Sequence, residues 1–284
     1  MRFTRLTGHI GADVHGTDLS QPLGPKEVRE IREGLIEHLV LFFREQRMLT
    51  PEEHKRFAGY FGELEHQAFL RDGVDDQLLV LDAPNSEIIT GESFFHADSS
   101  WRRVPPLGAV LQAQILPNVG GDTCFASMYA AYEAFSPQMR SFLDGLEAYH
   151  SIERMAAKTR PGYRVHSASG TLKPTKHPVV CTHPESGRKL LNVNGNYTLR
   201  IDGLHDDESA ALLTFLFEHV KSPHFQVRMR WNVGDVAFWD NRACLHCAIP
   251  DYTERRRMQR VSVLPFGVDT RVDAGVDAQS VDAV

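Results

Sequence analysis

Apolar residues recur at helical spacing in one stretch near the start of the chain. Val28, Ile31, Leu35, Ile36 and Leu39 follow Pro25 at three- and four-residue steps, which predicts a helix opened by that proline. From Leu39 to Phe43 the pattern becomes one continuous apolar run, which predicts a buried strand. A second helix is predicted from Thr50. Pro51 takes its first position and Glu53 stands three residues after the cap, a Thr-x-x-Glu capping box. It is expected to end near Phe61-Gly62.

Beyond that point the period shortens. Apolar runs of strand length occur at Gln77–Leu81, Ala109–Leu116, Val179–Thr182, Leu190–Val193, Phe225–Trp231, Val236–Trp239 and Arg260–Leu264, separated by Gly, Pro, Asn and Asp turns. Two helices interrupt them, about Met128–Phe135 and Asp206–Val220, the latter with Leu212, Leu213, Leu216 and Val220 on one face. Many short strands with a few helices predict a mainly β fold with flanking helices, a sandwich or jelly roll. One domain is expected over residues 1–267. The tail 268–284 is rich in Asp, Ala and Val and has no aromatic residue, and a loosely held terminus is expected there. A lid is expected around Arg154–Thr175, where Gly, Ser, Thr and Pro concentrate.

Composition narrows the function classes. The 284 residues carry 31 Lys+Arg against 37 Asp+Glu, a formal net charge of −6, so a general nucleic-acid binder is not expected. Hydrophobic residues at 42% are too many for a disordered chain. No stretch approaches 18 uncharged apolar residues, and the opening MRFTRLTGHIGADVHG has no apolar core of a secretory signal. Four cysteines, Cys124, Cys181, Cys244 and Cys247, are too few for a disulfide scaffold; a reducing, cytoplasmic setting is expected.

Fourteen histidines invite over-reading, and His9, His15, His54, His205, His219 and His224 carry no second signal. His96-Ala97-Asp98 does. On a strand, residues two apart face the same way, so this tripeptide presents one imidazole and one carboxylate together. Taken alone it also fits a polar turn. His246, 150 residues later, adds a second imidazole. Two His and one carboxylate form a facial triad that suits non-haem Fe(II), whereas a closed structural zinc site needs four ligands. Arg256 and Arg260 are four apart in Arg255–Val263, which as a strand puts both on one face with Met258 and Ser262. A planar guanidinium matches a carboxylate or sulfonate in two-point contact. The alternative is a solvated charge cluster, but the alternation of Val261 and Val263 favours a strand. Gly120-Gly121-Asp122-Thr123 reads as a hairpin turn that places a hydroxyl. Cys244 and Cys247 flank His246 without a second pair and read as small strand hydrophobes.

Together, His96-x-Asp98, Gly-Gly-Asp-Thr123, Trp239-Asp240-Asn241-Arg242 with His246, and Arg256 with Arg260 resemble the taurine dioxygenase family, Fe(II)- and 2-oxoglutarate-dependent oxygenases. The likeness runs from about Ile10 to Phe266. It implies a double-stranded β-helix, or jelly roll. It implies His96, Asp98 and His246 as iron ligands, Thr123 and Arg256 as holders of the distal carboxylate of 2-oxoglutarate, and Arg260 as the partner of a substrate anion. No catalytic residue beyond the metal ligands is implied. Two positions depart from the taurine pattern. Glu92 stands where the taurine enzyme has an Asn, and Phe61-Gly62-Glu63-Leu64-Glu65-His66 is one residue short of the pattern that places a substrate-contacting His. Glu92, His66, Trp101 and Tyr197 are therefore candidates for the pocket wall, Trp101 and Tyr197 reading equally well as core aromatics. The implied reaction uses O2 to hydroxylate a C–H of a small anionic sulfonate, sulfate ester or carboxylate, with succinate and CO2 as co-products. An aryloxyalkanoate or amino-acid-type hydroxylase is the alternative within the family. Outside it stand a zinc hydrolase and a non-catalytic small-acid binding module. The resemblance also implies a homo-oligomer.

Overall fold

The computed structural model describes residues 1–66, 69–70, 75–83, 94–152, 164–165 and 173–268. Most of the expected lid, residue Glu92 and the tail past Val268 lie outside these.

The architecture is a β-sandwich with helices on its outer face. The large sheet runs in the order Arg2–Arg5, Ala12–His15, Val40–Phe43, Val236–Asp240, Gly108–Ile115, Arg256–Leu264 and Glu63–Leu64, with Leu79–Ala83 also pairing with Arg256–Leu264. Its pairings are antiparallel except that of Ala12–His15 with Val40–Phe43. A smaller sheet facing it has Thr123–Ser127 between Gln226–Met229 and Cys244–Ala248.

Period-two alternation divides the core into two layers. Val40, Phe42, Ala109, Leu111, Ala237 and Trp239 point between the sheets, where they meet Phe125 and Met258. Leu41, Phe43, Val110, Val236, Phe238, Val261 and Val263 point the other way, onto Ile31, Leu35, Phe57 and Ala58 of the helices Pro25–His38 and Pro51–Gly59. The central strands are buried on both faces, which is why their sequences read as continuous apolar runs.

The predicted elements fall close to the observed ones. The first helix is Pro25–His38, the strand after it Val40–Phe43, and the long helix Asp206–Val220. The capping box forms: Thr50 Oγ1 accepts from Glu53 N at 3.3 Å and Glu53 Oε2 accepts from Thr50 N at 2.9 Å. Its helix stops at Gly59, before the expected Phe61-Gly62. The chain must turn there so that Gly62 can pass under Leu264; a Cβ at Gly62 would lie 2.0 Å from the Leu264 carbonyl oxygen. The strand expected at Gln77–Leu81 is Leu79–Ala83, because Asp75 takes Gln77 N (3.0 Å) and Leu78 N (3.3 Å) into a turn. The last strand is Arg256–Leu264, of which the apolar run Arg260–Leu264 marks the second half and the Arg256/Arg260 spacing the first. Leu79–Ala83 supplies its polar half with a ladder partner.

Among the described residues, no helix is long and apolar enough to cross a membrane.

Candidate metal centre

His96, Asp98 and His246 converge between the two sheets. His246 sits in the strand Cys244–Ala248, and His96 joins it by an isolated antiparallel bridge, His96 N to His246 O at 3.0 Å and His246 N to His96 O at 2.9 Å. The imidazole rings are 4.2 Å apart between centroids. Asp98 Oδ1 lies 3.6 Å from His96 Nε2 and Asp98 Oδ2 3.8 Å from His246 Nε2. One donor atom from each residue falls within 4.8 Å of the others, and all three residues are buried.

The surroundings of the trio suit a dication. His96 Nδ1 is 2.8 Å from the Phe94 carbonyl and donates to it, so Nε2 is the nitrogen turned towards Asp98. Burial pushes the His246 imidazole down to about 3, with His96 adding to the effect, so this ring is neutral. Its Nδ1 is buried with no hydrogen-bond partner among the described residues. Burial opposes ionisation of Asp98, yet the Arg260 guanidinium and then the two imidazoles hold its carboxyl well below the usual carboxylate range. Two imidazoles and one carboxylate at this spacing are a ligand set that leaves coordination positions open.

The cationic pair follows from strand alternation. Arg256, Met258 and Arg260 face the interior from Arg256–Leu264, and the side chains of His96, Thr123, Trp239, His246, Arg256 and Arg260 line one recess. Arg256 Nε donates to Gly121 O at 3.0 Å, and its Nη2 is 3.5 Å from Thr123 Oγ1. Gly121 has φ +75°, and a Cβ there would stand 3.1 Å from Arg256 Cδ, so glycine admits the arginine stem. Thr123 Oγ1 accepts from Trp231 Nε1 at 3.0 Å, which orients the hydroxyl and leaves its proton to donate. Arg260 Nη1 reaches both oxygens of Asp98, at 2.9 and 3.0 Å.

None of the other described candidates is among the side chains that line this recess. Tyr197 is buried, and burial, then the charge of Asp98, raises its phenol well above the usual range. Trp101 is buried with no partner for its indole N–H among the described residues, and Arg102 lies over its ring. His66 is half-buried and bound to Asp76 through Nδ1 at 2.6 Å. Glu92 lies outside the described residues.

Three further groups, to which the sequence assigned no role, shape the site. Trp231 orients Thr123. Asn241 Oδ1 accepts from Asp98 N at 2.7 Å, and its Nδ2 donates to Asp98 O at 2.9 Å. Glu65 and Arg102 form a buried pair at 3.1 Å behind Arg260. Burial raises the Glu65 carboxyl, against the pull of Arg102. Asn241 stood inside the quoted Trp239–Arg242 motif but without a role; Trp231, Glu65 and Arg102 gave no signal by spacing.

Comparison with known proteins agrees with this geometry. The profile of a family described as taurine catabolism dioxygenase TauD, TfdA family matches residues 2–262. An alkylsulfatase of Acinetobacter baylyi is 33% identical over 95% of this chain and 86% of its own length. An alpha-ketoglutarate-dependent sulfate ester dioxygenase of Pseudomonas putida is 35% identical over 93% of this chain and 90% of its own. The crystal structure of a taurine dioxygenase from Burkholderia xenovorans superimposes with a TM-score of 0.79 at 35% identity, over 93% of this chain and 89% of that one.

Proposed function

The chain belongs to the taurine catabolism dioxygenase TauD, TfdA family and is a 2-oxoglutarate-dependent dioxygenase, and from that premise we propose that its metal is Fe(II) and its prime substrate a small organic sulfate ester or sulfonate. His96, Asp98 and His246 would hold the metal. When bound, Fe(II) supplies O2 activation, with 2-oxoglutarate giving up two electrons as it is decarboxylated to succinate and CO2. Arg256 and Thr123 bind the far carboxylate of the co-substrate, the guanidinium by charge and the hydroxyl by its remaining proton. Arg260 orients the substrate anion beside the metal and balances Asp98. The observation that carries this reading is the recess itself, where His96 and His246 of the His-Asp-His trio meet Arg256 and Thr123. A zinc hydrolase has no use for Arg256 and Thr123 as a second anion anchor beside the metal, and a binding module has none for the three metal ligands.

Sulfate esters are favoured by the names of the two relatives above. Hydroxylation of the carbon bearing the ester oxygen gives a product that collapses to an aldehyde or ketone and releases sulfate. The test is succinate formation from 2-oxoglutarate under air with Fe(II), against alkyl sulfates, sulfonates, aryloxyalkanoates and amino acids. Succinate that tracks alkyl sulfate, with one sulfate released per succinate, and that disappears in His96→Ala, is the expected result. Turnover confined to amino acids would overturn the substrate class, and no Fe(II) binding would overturn the metal.

A further inference from the structure

We propose that Asn241 is a positioning residue for the metal site, a side-chain clamp that fixes where the Asp98 carboxylate stands. The inference rests on the reading that His96, Asp98 and His246 hold the metal.

Asp98 lies in no strand. Its segment is tethered to the minor sheet at His96 by the bridge to His246. Just after Asp98 the chain leaves ordinary geometry, since Ser99 has φ +48°, in the left-handed region that side chains with a Cβ rarely adopt. A backbone held there needs restraint from its surroundings, and Asn241 supplies it. The amide is 2% exposed. Its oxygen accepts from Asp98 N at 2.7 Å, and its nitrogen donates to Asp98 O at 2.9 Å and to Pro106 O at 3.3 Å. Asn241 N donates to Leu107 O at 2.9 Å, so the same residue grips the metal-bearing segment at both of its ends. Asn241 itself stands in the turn between Val236–Asp240 and Cys244–Ala248, five residues before His246. One amide thus ties the carboxylate segment to the turn that leads into the second imidazole.

The chemistry requires an amide. Asp98 N–H and C=O have no other partner among the described residues, so truncation at Asn241 leaves both buried and unsatisfied. The peptide would turn to find partners and carry the carboxylate with it. A carboxylate at position 241 keeps the volume and accepts from Asp98 N, but it cannot donate to the two carbonyls it would face. Asn241→Asp is therefore expected to fail like Asn241→Ala.

A comparable amide elsewhere separates positioning from folding. Gln112 is fully buried and also holds three backbone groups, Leu49 N, Arg47 O and Gly234 O, none of them on a metal-bearing segment. The experiment measures Mn(II) affinity by calorimetry on the metal-stripped full chain, with thermal unfolding of each metal-free variant. His246→Ala should abolish binding. Asn241→Ala and Asn241→Asp should weaken Mn(II) binding by about tenfold to a hundredfold. Gln112→Ala should stay within about twofold of wild type even where its Tm falls as far. Should the alanine variant fail to fold, the isosteric Asn241→Asp carries the test. Wild-type affinity in the Asn241 variants, beside a silent His246→Ala, overturns the clamp alone. Undiminished binding in His246→Ala overturns the metal centre and the clamp with it.

Discussion

Arg256 and Arg260 stand on one face of one strand, but their surroundings give them different work. Arg256 leans on Gly121 O and towards Thr123, whereas Arg260 spans both oxygens of Asp98. Arg256→Ala is expected to raise the KM for 2-oxoglutarate about tenfold to a hundredfold, the loss of a charge-assisted contact, with little change in the KM for the prime substrate. Arg260→Ala should do the reverse. An exchange of the two effects in steady-state assays would show the pair assigned the wrong way round. Trp231→Phe should raise the 2-oxoglutarate KM more mildly, about fivefold, because one neutral hydrogen bond orients Thr123. The primary residues of this site were legible in the chain, since His-x-Asp, the distant His and the paired Arg are each types with a chemical purpose. Trp231 was not, and Asn241 was visible only as a member of the Trp239–Arg242 motif, without its role. Their partners lie 108 and 143 residues away, and only folding brings them together.

At the scale of elements, the signals that worked were local and physical. The Thr50 capping box named its helix start because both reciprocal bonds use residues three apart. Thr50→Ala should lower stability by about 1 kcal/mol, a Tm shift of roughly 2 °C, checked by thermal unfolding with the metal removed. Strands buried on both faces were legible from their apolar runs. Those with polar or exposed faces were not: Arg2–Arg5 is mostly exposed, and Thr175–Pro178 carries Lys, His and Pro on an edge. Thr123–Ser127 was hidden for another reason. Its small residues read as the end of a glycine turn, although it is the central strand of the minor sheet and carries Thr123 into the recess. The helix Pro137–Leu143 was not predicted: among its residues only Leu143 is buried, so it has almost no apolar face to detect.

Over the whole molecule, buried titratable groups outside the metal trio make stability depend on pH. His54 is fully buried under the large sheet, where burial pushes its imidazole down to about 4 against a hydrogen bond to Val110 O at 3.1 Å. His150 is buried in a polar cluster with Ser100 and Thr198, and burial, with the nearby His177, pushes it down to about 3. Both values lie below the ordinary one near 6.5, so through this window the unfolded chain binds more protons than the folded one. Stability therefore rises with pH up to about 6.5 and is lost as pH falls through the window, on the order of 2 kcal/mol from each group at pH 5. Asp240 acts lower down. Burial opposes its ionisation, but His183 at 3.0 Å and then Arg242 bring its carboxyl down to about 2. Its contribution is present above about pH 4 and is lost between there and 2. The Tm of the metal-stripped protein should thus fall from pH 7.5 to pH 5, before any carboxylate is discharged. His54→Gln, which keeps a donor towards Val110 O and removes the titration, should flatten that fall. A wild-type Tm that stays level across this interval would mean that these imidazoles are not held neutral by burial.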